Sequence, residues 1–224
     1  MIPLIALGAA VVGASYGAYK YFSPKEDPKP SNLPKNLGDF ATWGQPDTGK
    51  TTFITRLRGL EPTIKKESTY SAKRISKFEI TGQDGQKYEV QEIFDLPGLE
   101  DRLNDWLTQV ESRKNIFYII NLTNLENESY LRNVKKDIQA TVEKIKSTTN
   151  KNKRVNIIGT HLDQSKWKGH DPARVNNEIL QDDCMREIRE YFGDVAGYVY
   201  SANLTDKNSS NRLIQDIIND CAHK

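Results

Sequence analysis

The sequence predicts an α/β fold: a mostly parallel sheet of six strands, one of them antiparallel, with helices on both faces and a single transmembrane helix ahead of it. Three observations indicate this arrangement. Apolar strand-like runs alternate with helix-like segments from Asp39 onward, as in a parallel sheet covered by helices. Residues 82–85 (Gly-Gln-Asp-Gly) separate two strand patterns as a hairpin turn does, which predicts the antiparallel strand. The first 22 residues form a separate apolar segment.

Each predicted element follows from its residue pattern. Residues 116–120 and 155–158 are continuous apolar runs of the kind buried on both faces of a sheet. Residues 126–146 place apolar side chains at spacings of three and four along one face, which predicts a helix. The predicted strands are residues 40–43, 74–80, 87–94, 116–120, 155–158 and 198–200, and the predicted helices are residues 51–58, 104–112, 126–146, 172–192 and 212–218.

The overall composition excludes several classes of protein. The chain has 224 residues, with 32 Lys and Arg against 30 Asp and Glu, for a formal net charge of +2. This balance gives no reason to expect a nucleic-acid-binding protein. A hydrophobic content of 37% excludes a polytopic membrane protein, and two cysteines exclude a disulfide scaffold and suit a reducing compartment.

The first 22 residues are the most apolar part of the chain. Sixteen of them are hydrophobic, and the first charged side chain is Lys20. About 20 helical residues span the hydrocarbon core of a bilayer, so this segment predicts a membrane anchor. Lysines follow it, and the positive-inside rule then places the rest of the chain in the cytoplasm. The small residues Ala9, Gly13 and Gly17 would let two anchors pack together, which allows a homodimer.

Two other interpretations of this segment stay open. It could be a signal peptide cleaved near residues 12–14, although it lacks the N-terminal Lys or Arg of such peptides. It could also be a core or interfacial helix, although the proline-rich stretch after it argues against core. Residues 23–37 contain four prolines, which predicts an extended spacer. The predicted organisation is an anchor at 1–22, a proline-rich linker at 23–37 and one domain at 38–224.

A glycine-rich segment between the first strand and the first helix matches the phosphate-binding pattern GxxxxGK[ST]. Residues 44–51 read Gly-Gln-Pro-Asp-Thr-Gly-Lys-Thr. The glycines let backbone N–H groups turn towards phosphate oxygens, and the helix N-terminus adds partial positive charge. The lysine would bridge the β- and γ-phosphates, and the threonine after it would bind Mg²⁺. The predicted nucleotide-binding residues here are Gly44, Asp47, Thr48, Gly49, Lys50, Thr51 and Thr52.

A second motif follows the predicted hairpin. Residues 95–98 (Asp-Leu-Pro-Gly) resemble the DxxG motif of the P-loop GTPases of the translation-factor and Ras-like (TRAFAC) class. By that resemblance Asp95 would hold Mg²⁺ through water, and the Gly98 N–H would contact the γ-phosphate. A carboxylate at a strand end beside a glycine suits a site that senses the third phosphate. Residues 44–51, called the phosphate loop below, taken alone also fit an ordinary glycine-rich turn. They do not choose between ATP and GTP.

Two motifs at the ends of the last strands resemble the guanine-binding stations of the same class. Residues 160–163 stand where the family carries [N/T]KxD, so Asp163 would accept hydrogen bonds from guanine N1 and N2. His161 departs from the usual lysine, and its imidazole would stack on the base. Residues 201–203 resemble the SA[K/L/N] motif, in which the Ala202 N–H would contact guanine O6. A helix N-cap is the alternative role for Asp163. The predicted base-contacting residues are Thr160, His161, Asp163, Ser201, Ala202 and Asn203.

The catalytic and metal-binding residues are assigned by the same resemblance. The family's switch threonine lies between the first helix and the second strand and coordinates Mg²⁺, and Thr63, Ser68 and Thr69 are all available there. Thr69 is preferred because it lies shortly before the strand, and a solvated loop hydroxyl is the alternative. The predicted catalytic residues are Lys50, Thr69 and Gly98, and the predicted Mg²⁺ ligands are Thr51, Thr69 and Asp95.

Departures from the family pattern bear on catalysis. Leu99 stands where Ras-like members have a glutamine that orients the attacking water. Intrinsic hydrolysis should therefore be slow unless a partner in trans, a second G domain or a monovalent cation completes the site. Pro46 with Leu99 resembles the Era-like GTPases, and residues 160–163 (Thr-His-Leu-Asp) resemble Roc-type G domains. The phosphate loop, residues 95–98 and an anchor together resemble the signal-recognition-particle receptor beta subunit. The resemblance to the superfamily covers residues 38–222 and selects no subfamily.

The sequence therefore predicts a single-pass, membrane-anchored GTPase that acts as a nucleotide-dependent switch on the cytoplasmic face. GTP, GDP and Mg²⁺ are the implied cofactors. The implied partners are the membrane and a protein effector or activating protein, with no nucleic acid. Leu99 and His161 leave open a GTP-binding receptor or scaffold subunit with little or no hydrolysis. An exported domain behind a signal peptide is disfavoured, because GTP is not expected outside the cytoplasm.

Overall fold

The computed structural model describes residues 33–63, 72–98, 100–149 and 153–222, which form a six-stranded sheet with helices on both faces. The strands lie in the spatial order β2-β3-β1-β4-β5-β6. β2 runs antiparallel to β3, and every other neighbouring pair is parallel, as the sequence predicts. The strands are β1 (Lys35–Trp43), β2 (Lys73–Thr81), β3 (Lys87–Asp95), β4 (Asn115–Asn121), β5 (Val155–Thr160) and β6 (Ala196–Ser201).

Six α-helices cover the sheet within the described ranges. Four of them bury apolar side chains on one face, against Tyr118 and Ile120 of β4, and the other two bury theirs on the opposite face, against Phe117 and Ile119. The first group is α2 (Leu103–Ser112), α3 (Glu128–Ser147), α4 (Val175–Gln181) and α5 (Asp183–Phe192), and the second group is α1 (Lys50–Leu57) and α6 (Lys207–Ala222).

The central strand β4 shows why the chain takes this layered form. All seven of its residues are buried, and successive side chains point to opposite faces of a strand. One β4 run therefore supplies apolar surface to both layers of helices. Only a strand covered on both faces can bury such a run, which is why its continuous apolar pattern predicts an interior position.

The structure differs from the prediction most clearly at residues 172–192. A single predicted helix is replaced by α4 and α5, with Asp182 between them in extended conformation at φ −67° and ψ 138°. The Asp182 carboxylate accepts hydrogen bonds from the backbone N–H groups of Cys184 and Met185. An aspartate that caps the first turn of a new helix stabilises that break.

The sheet also begins earlier than the apolar pattern indicates. β1 starts at Lys35, inside the predicted linker, and Lys35 pairs with Tyr88 of β3. Leu37 is fully buried in the core between α1 and α6. The compact unit that contains the sheet starts at Leu33.

One part of the predicted fold is corrected, namely the transmembrane helix ahead of the sheet. Within the ranges given above, no helix is both long enough and apolar enough to cross a bilayer. The longest, α3, has 20 residues, but its exposed face is charged and its apolar face packs on the sheet. Residues 1–22, on which the prediction of an anchor rested, lie outside the described residues, as do residues 23–32 of the predicted linker.

Candidate functional site

The predicted motifs meet at one edge of the sheet. The strands β1, β3, β5 and β6 all run in the same direction. They end at Trp43, Asp95, Thr160 and Ser201. Each predicted motif begins at or directly after one of these strand ends. The carboxyl edge of a parallel sheet is where α/β folds bind their ligands, so the topology brings the motifs to one surface.

The phosphate loop has the backbone conformation that its glycines allow. Gly44 has φ +152°, and a Cβ at this position would lie only 2.1 Å from the carbonyl oxygen of Ile119. Any side chain at this position would therefore collide with β4. Asp47 also has positive φ, at 59°, and Gly49 has φ +84° directly before α1. The loop curls tightly at the N-terminus of α1, which suits phosphate binding.

Lys50 lies inside this loop with its side chain only 7% exposed. Its Nζ donates hydrogen bonds to the carbonyl oxygens of Gly44 and Gln45, at 2.8 and 2.9 Å. Burial lowers the pKa of Lys50 to about 8, although Asp95, Asp47 and Asp137 oppose the shift. An ammonium group has three N–H donors, so one remains for a ligand once two are bound to the loop.

Thr51 and Asp95 form the candidate metal site. The Thr51 hydroxyl donates to Asp95 Oδ2 at 2.8 Å. The other carboxylate oxygen, Asp95 Oδ1, is buried and has no hydrogen-bond partner among the described residues. Burial raises the pKa of Asp95, against the Thr51 hydrogen bond and the charge of Lys50. A buried carboxylate oxygen without a partner is costly, and a bound cation would satisfy it.

Gly98 packs directly against the phosphate loop. A Cβ on Gly98 would lie 2.6 Å from both the Gly44 carbonyl oxygen and Lys50 Nζ. The structure thus brings the two predicted catalytic residues Lys50 and Gly98 together, and only glycine permits this approach. The third, Thr69, lies outside the described residues, as do Ser68 and Leu99. Thr63 is described and exposed.

The segment 160–163, predicted to bind guanine, is connected to the phosphate loop through Thr160. The Thr160 hydroxyl donates to the carbonyl oxygen of Thr48 at 2.8 Å and lies 3.1 Å from that of Ile120. Its oxygen is 2.9 Å from His161 Nδ1. This contact ties the His161 ring to the same hydroxyl that binds the phosphate loop. His161 itself adopts φ 57°, a conformation uncommon for a side chain of its size.

Asp163 lies in the short 3₁₀ turn Leu162–Gln164 and is half-buried. Residue 161, rather than Asp163, occupies the N-cap of this turn, and no side-chain cap bond is made there. Among the described residues the Asp163 carboxylate accepts no hydrogen bond. The structure therefore does not show the alternative role of Asp163 as a helix N-cap.

The 201–203 segment is held by bonds within the chain. The Ser201 hydroxyl donates to Asn176 Oδ1 at 2.6 Å, and the Ala202 N–H donates to the Gly159 carbonyl oxygen at 2.9 Å. The Asn203 N–H donates to the Ser209 hydroxyl at 3.0 Å. The Ala202 N–H, predicted to reach a guanine oxygen, is thus used to extend the pairing of β5 with β6. It would contact a base only by sharing its proton.

Two residues that support the phosphate loop, Gln45 and Asp137, escaped the sequence analysis because they are distant from each other in the chain. Gln45 donates from Nε2 to Asp137 Oδ2 at 2.7 Å, and the Tyr118 hydroxyl donates to the same oxygen at 2.7 Å. Burial raises the pKa of Asp137. The sequence signal that could have revealed Asp137 is its position between Val134 and Ile138, on the apolar face of the predicted helix. Gln45, which carries one of the two carbonyls bound by Lys50, is held in place by this buried group.

Comparison with known proteins identifies the class of fold. No protein-family model matches this chain, and no curated protein sequence matches it either. Among solved structures, the Arl6 (BBS3) small GTPase from Trypanosoma brucei, with the bound nucleotide analogue GppNp, is similar at a TM-score of 0.58 and 17% identity. The match covers 84% of this chain and 99% of that one. The likeness shows that this chain has a small-GTPase fold. The Era-like, Roc-type and receptor-beta resemblances stay predictions.

Proposed function

We propose that this chain is a guanine-nucleotide-binding switch that hydrolyses GTP to GDP at a slow intrinsic rate. The observation that carries the proposal is the convergence of Lys50, Thr51, Asp95 and Gly98 around one curled loop. These are the residue types that bind a triphosphate and its metal ion, and they come from two separate strand ends. The bound GppNp of the Trypanosoma brucei neighbour is consistent with this assignment.

The phosphate end of the site supplies positive charge and directed donors. Lys50 keeps one N–H for a β- or γ-phosphate oxygen while the Gly44 and Gln45 carbonyls fix its position. The N-terminus of α1 adds backbone N–H groups and the positive end of its dipole. Gly98 is near enough to Lys50 to sense a γ-phosphate through its own N–H. Loss of that phosphate would release residues 95–98, which is how a switch of this kind works.

The residues at Thr51 and Asp95 fit Mg²⁺. Hydroxyl and carboxylate oxygens are the ligands that this ion prefers, and Asp95 Oδ1 lacks any partner among the described residues. Thr51 and Asp95 would hold the ion, and Thr69 is the third ligand predicted from the sequence. When bound, Mg²⁺ neutralises charge on the β- and γ-phosphate oxygens.

The base end of the site favours guanine. The Asp163 carboxylate, which accepts no hydrogen bond from any residue that the structure describes, can accept two from the N1 and N2 donors of guanine, a donor pair that adenine lacks. His161, with its ring fixed by Thr160, replaces the usual lysine stem as the surface for the base. A protein effector or an activating protein would read the nucleotide state, as the switch role requires.

The binding proposal is tested by nucleotide affinity. We expect Lys50→Ala to weaken GTP binding by about 100-fold or more, since it removes a charge-assisted contact to phosphate. Asp163→Asn should shift the preference from GTP to xanthosine triphosphate, because an amide presents a donor where the carboxylate accepts. Asp171→Asn, an exposed aspartate in the segment between β5 and α4, is the matched control. An unchanged GTP preference in Asp163→Asn would refute the assignment of the base site.

The rate of hydrolysis separates the switch from its alternative. Leu99 cannot orient a water molecule, so we expect multiple-turnover hydrolysis by the full chain well below about 10⁻² s⁻¹ without a partner. A receptor or scaffold that only holds GTP would retain bound GTP after purification and show no turnover. Slow but measurable release of GDP and phosphate supports the switch. Fast turnover, independent of protein concentration and of monovalent cations, would contradict the role given to Leu99.

A further inference from the structure

The side chain of Arg56 on α1 crosses to the loop that follows β6. Its Nε donates to the Leu204 carbonyl oxygen at 2.9 Å, and its second terminal nitrogen donates to the Thr205 carbonyl oxygen at 2.8 Å. The first terminal nitrogen binds the Glu61 carboxylate at 2.6 Å. The Arg56 side chain is 8% exposed, while that of Glu61 is 69% exposed. The bond to Leu204 is buried and the bond to Thr205 is partly buried, whereas the ion pair with Glu61 ends on an exposed carboxylate, where water weakens it.

These contacts join the two ends of the candidate site. α1 begins at Lys50 in the phosphate loop, and Leu204 comes directly after the predicted base-contacting residues 201–203. Leu204 also packs on the phosphate loop, since a Cβ on Gly49 would lie 3.3 Å from its Cδ1 atom. Arg56 thus fixes the loop that would carry the base contacts against the helix that would carry the phosphate contacts.

The guanidinium group is well suited to this task because it is a rigid planar fork. It holds two successive carbonyl groups at once, which a flexible ammonium group does less well. Within the loop, Asn203 Oδ1 accepts hydrogen bonds from the Thr205 N–H and hydroxyl. Side-chain bonds within the loop therefore fix its turn, and Arg56 binds its backbone carbonyl groups to α1.

We propose that Arg56 is a positioning residue for nucleotide-base binding: it holds residues 201–205 in place and thereby sets the affinity for guanine separately from the affinity for phosphate. The inference rests on the function proposed above. It predicts that a change at Arg56 weakens ligands that carry guanine, while ligands bound through their phosphates are unaffected.

The test compares GTP with two ligands that lack guanine, tripolyphosphate and ATP, each titrated with Mg²⁺ into the full chain. We expect Arg56→Lys to weaken GTP binding by about tenfold, because lysine keeps the charge and loses the two-carbonyl fork. Affinity for the other two ligands should stay within about twofold of wild type, since their phosphate contacts are intact. Arg56→Ala should show the same selectivity with a larger loss of GTP affinity.

Two control variants isolate the contacts of Arg56 with the Leu204 and Thr205 carbonyl groups. Arg58→Ala removes an exposed arginine two residues along, and Glu61→Gln removes only the exposed arm of the arrangement. Both should bind GTP as the wild type does. A circular-dichroism spectrum and urea unfolding of Arg56→Lys establish that it is folded. If it fails to fold, or loses affinity for all three ligands equally, Arg56 is a structural residue only and the proposal is overturned.

The remaining outcomes separate this inference from the proposed function. If the wild type binds GTP and Arg56→Lys binds it equally well, the inference fails while the proposed function stands. If the wild type does not bind GTP in preference to ATP, the proposed function fails and the inference falls with it.

Discussion

Asp137 shows how much one residue contributes to the candidate site. It is a buried carboxylate on the sheet-facing side of α3, a position that charged side chains occupy only when they are paired. Its Oδ2 atom accepts hydrogen bonds from Gln45 in the phosphate loop and from Tyr118 in β4. Because the Gln45 carbonyl in turn accepts from Lys50, Asp137 helps to fix the lysine without touching a ligand.

Asp137 also gives the protein a testable pH dependence. Burial raises its pKa above the usual value, although its hydrogen bonds to Tyr118 and Gln45 oppose the shift. A carboxyl group whose pKa is higher in the folded state binds its proton more readily when folded. Its contribution to stability is therefore fully present below the unfolded pKa of about 4 and is lost as the pH rises through the folded value.

We expect the stability of the wild type relative to Asp137→Asn to increase as the pH falls from 7 towards 4. The asparagine variant lacks the titrating group but keeps a similar shape, so the difference isolates Asp137. Urea unfolding of both proteins at a series of pH values measures it. Lys136→Gln, an exposed neighbour, should run parallel to the wild type. A constant difference between wild type and Asp137→Asn across the series would contradict the raised pKa.

At the scale of elements, α2 packs on the end of the strand that leads into the phosphate loop. Trp106 of α2 stacks on Trp43, the last residue of β1, with ring centroids 6.0 Å apart and planes 12° from parallel. Its indole N–H donates to the Thr141 hydroxyl of α3 at 2.8 Å. Lys153 donates to the Val110 and Glu111 carbonyl oxygens at the C-terminus of α2. The helix that follows residues 95–98 is thus anchored at its middle and at its end.

This anchoring predicts a graded response to substitution at Trp106. Trp106→Phe keeps a ring for the stack and loses the hydrogen bond, so we expect a loss of about 1–2 kcal/mol in the free energy of unfolding. Trp106→Ala leaves a cavity and should cost about 3–5 kcal/mol. Urea denaturation measures both. Asn104→Ala, on the exposed side of α2, should change stability by less than about 0.5 kcal/mol. Equal losses for the two Trp106 variants would contradict a role for packing.

Most of the elements follow from local patterns, which is why the sequence predicts them. The buried β4 run, the 82–85 turn and the spacing in α3 each carry their own signal within a few residues. The division of α4 from α5 does not, because it depends on one aspartate accepting two backbone N–H groups. The start of β1 at Lys35 likewise depends on pairing with β3 rather than on its own composition.

At the scale of the whole molecule, the long-range contacts set the limit of prediction. The motifs themselves are local, and parallel strands bring their ends together whatever else the chain does. The bonds that fix the motifs join residues far apart: Gln45 to Asp137 across 92 positions, and Arg56 to Leu204 across 148. Neither hydrophobic periodicity nor motif spacing in the sequence predicts such pairs. The position of the Ala202 N–H on Gly159 is a further contact of this kind.

The site draws on both faces of the sheet, and this predicts a global effect of nucleotide. α1 belongs to the core on one face, and Trp43, which leads into the phosphate loop, belongs to the core on the other. A ligand that binds only the folded chain stabilises it by about 2.7 kcal/mol at a hundredfold excess over its dissociation constant. For a domain of this size we expect GTP with Mg²⁺ to raise the Tm by about 5–10 °C.

Thermal unfolding of the full chain, followed by circular dichroism, measures this shift at several GTP concentrations. The shift should grow with the logarithm of ligand concentration, since it arises from mass action. Lys50→Ala should lose it, because the variant folds around the same sheet but lacks the phosphate contact. ATP at the same concentration should give a much smaller shift, because Asp163 finds no donor pair on adenine. An equal shift with ATP would mean that the phosphates alone are recognised, and the guanine assignment would then fail.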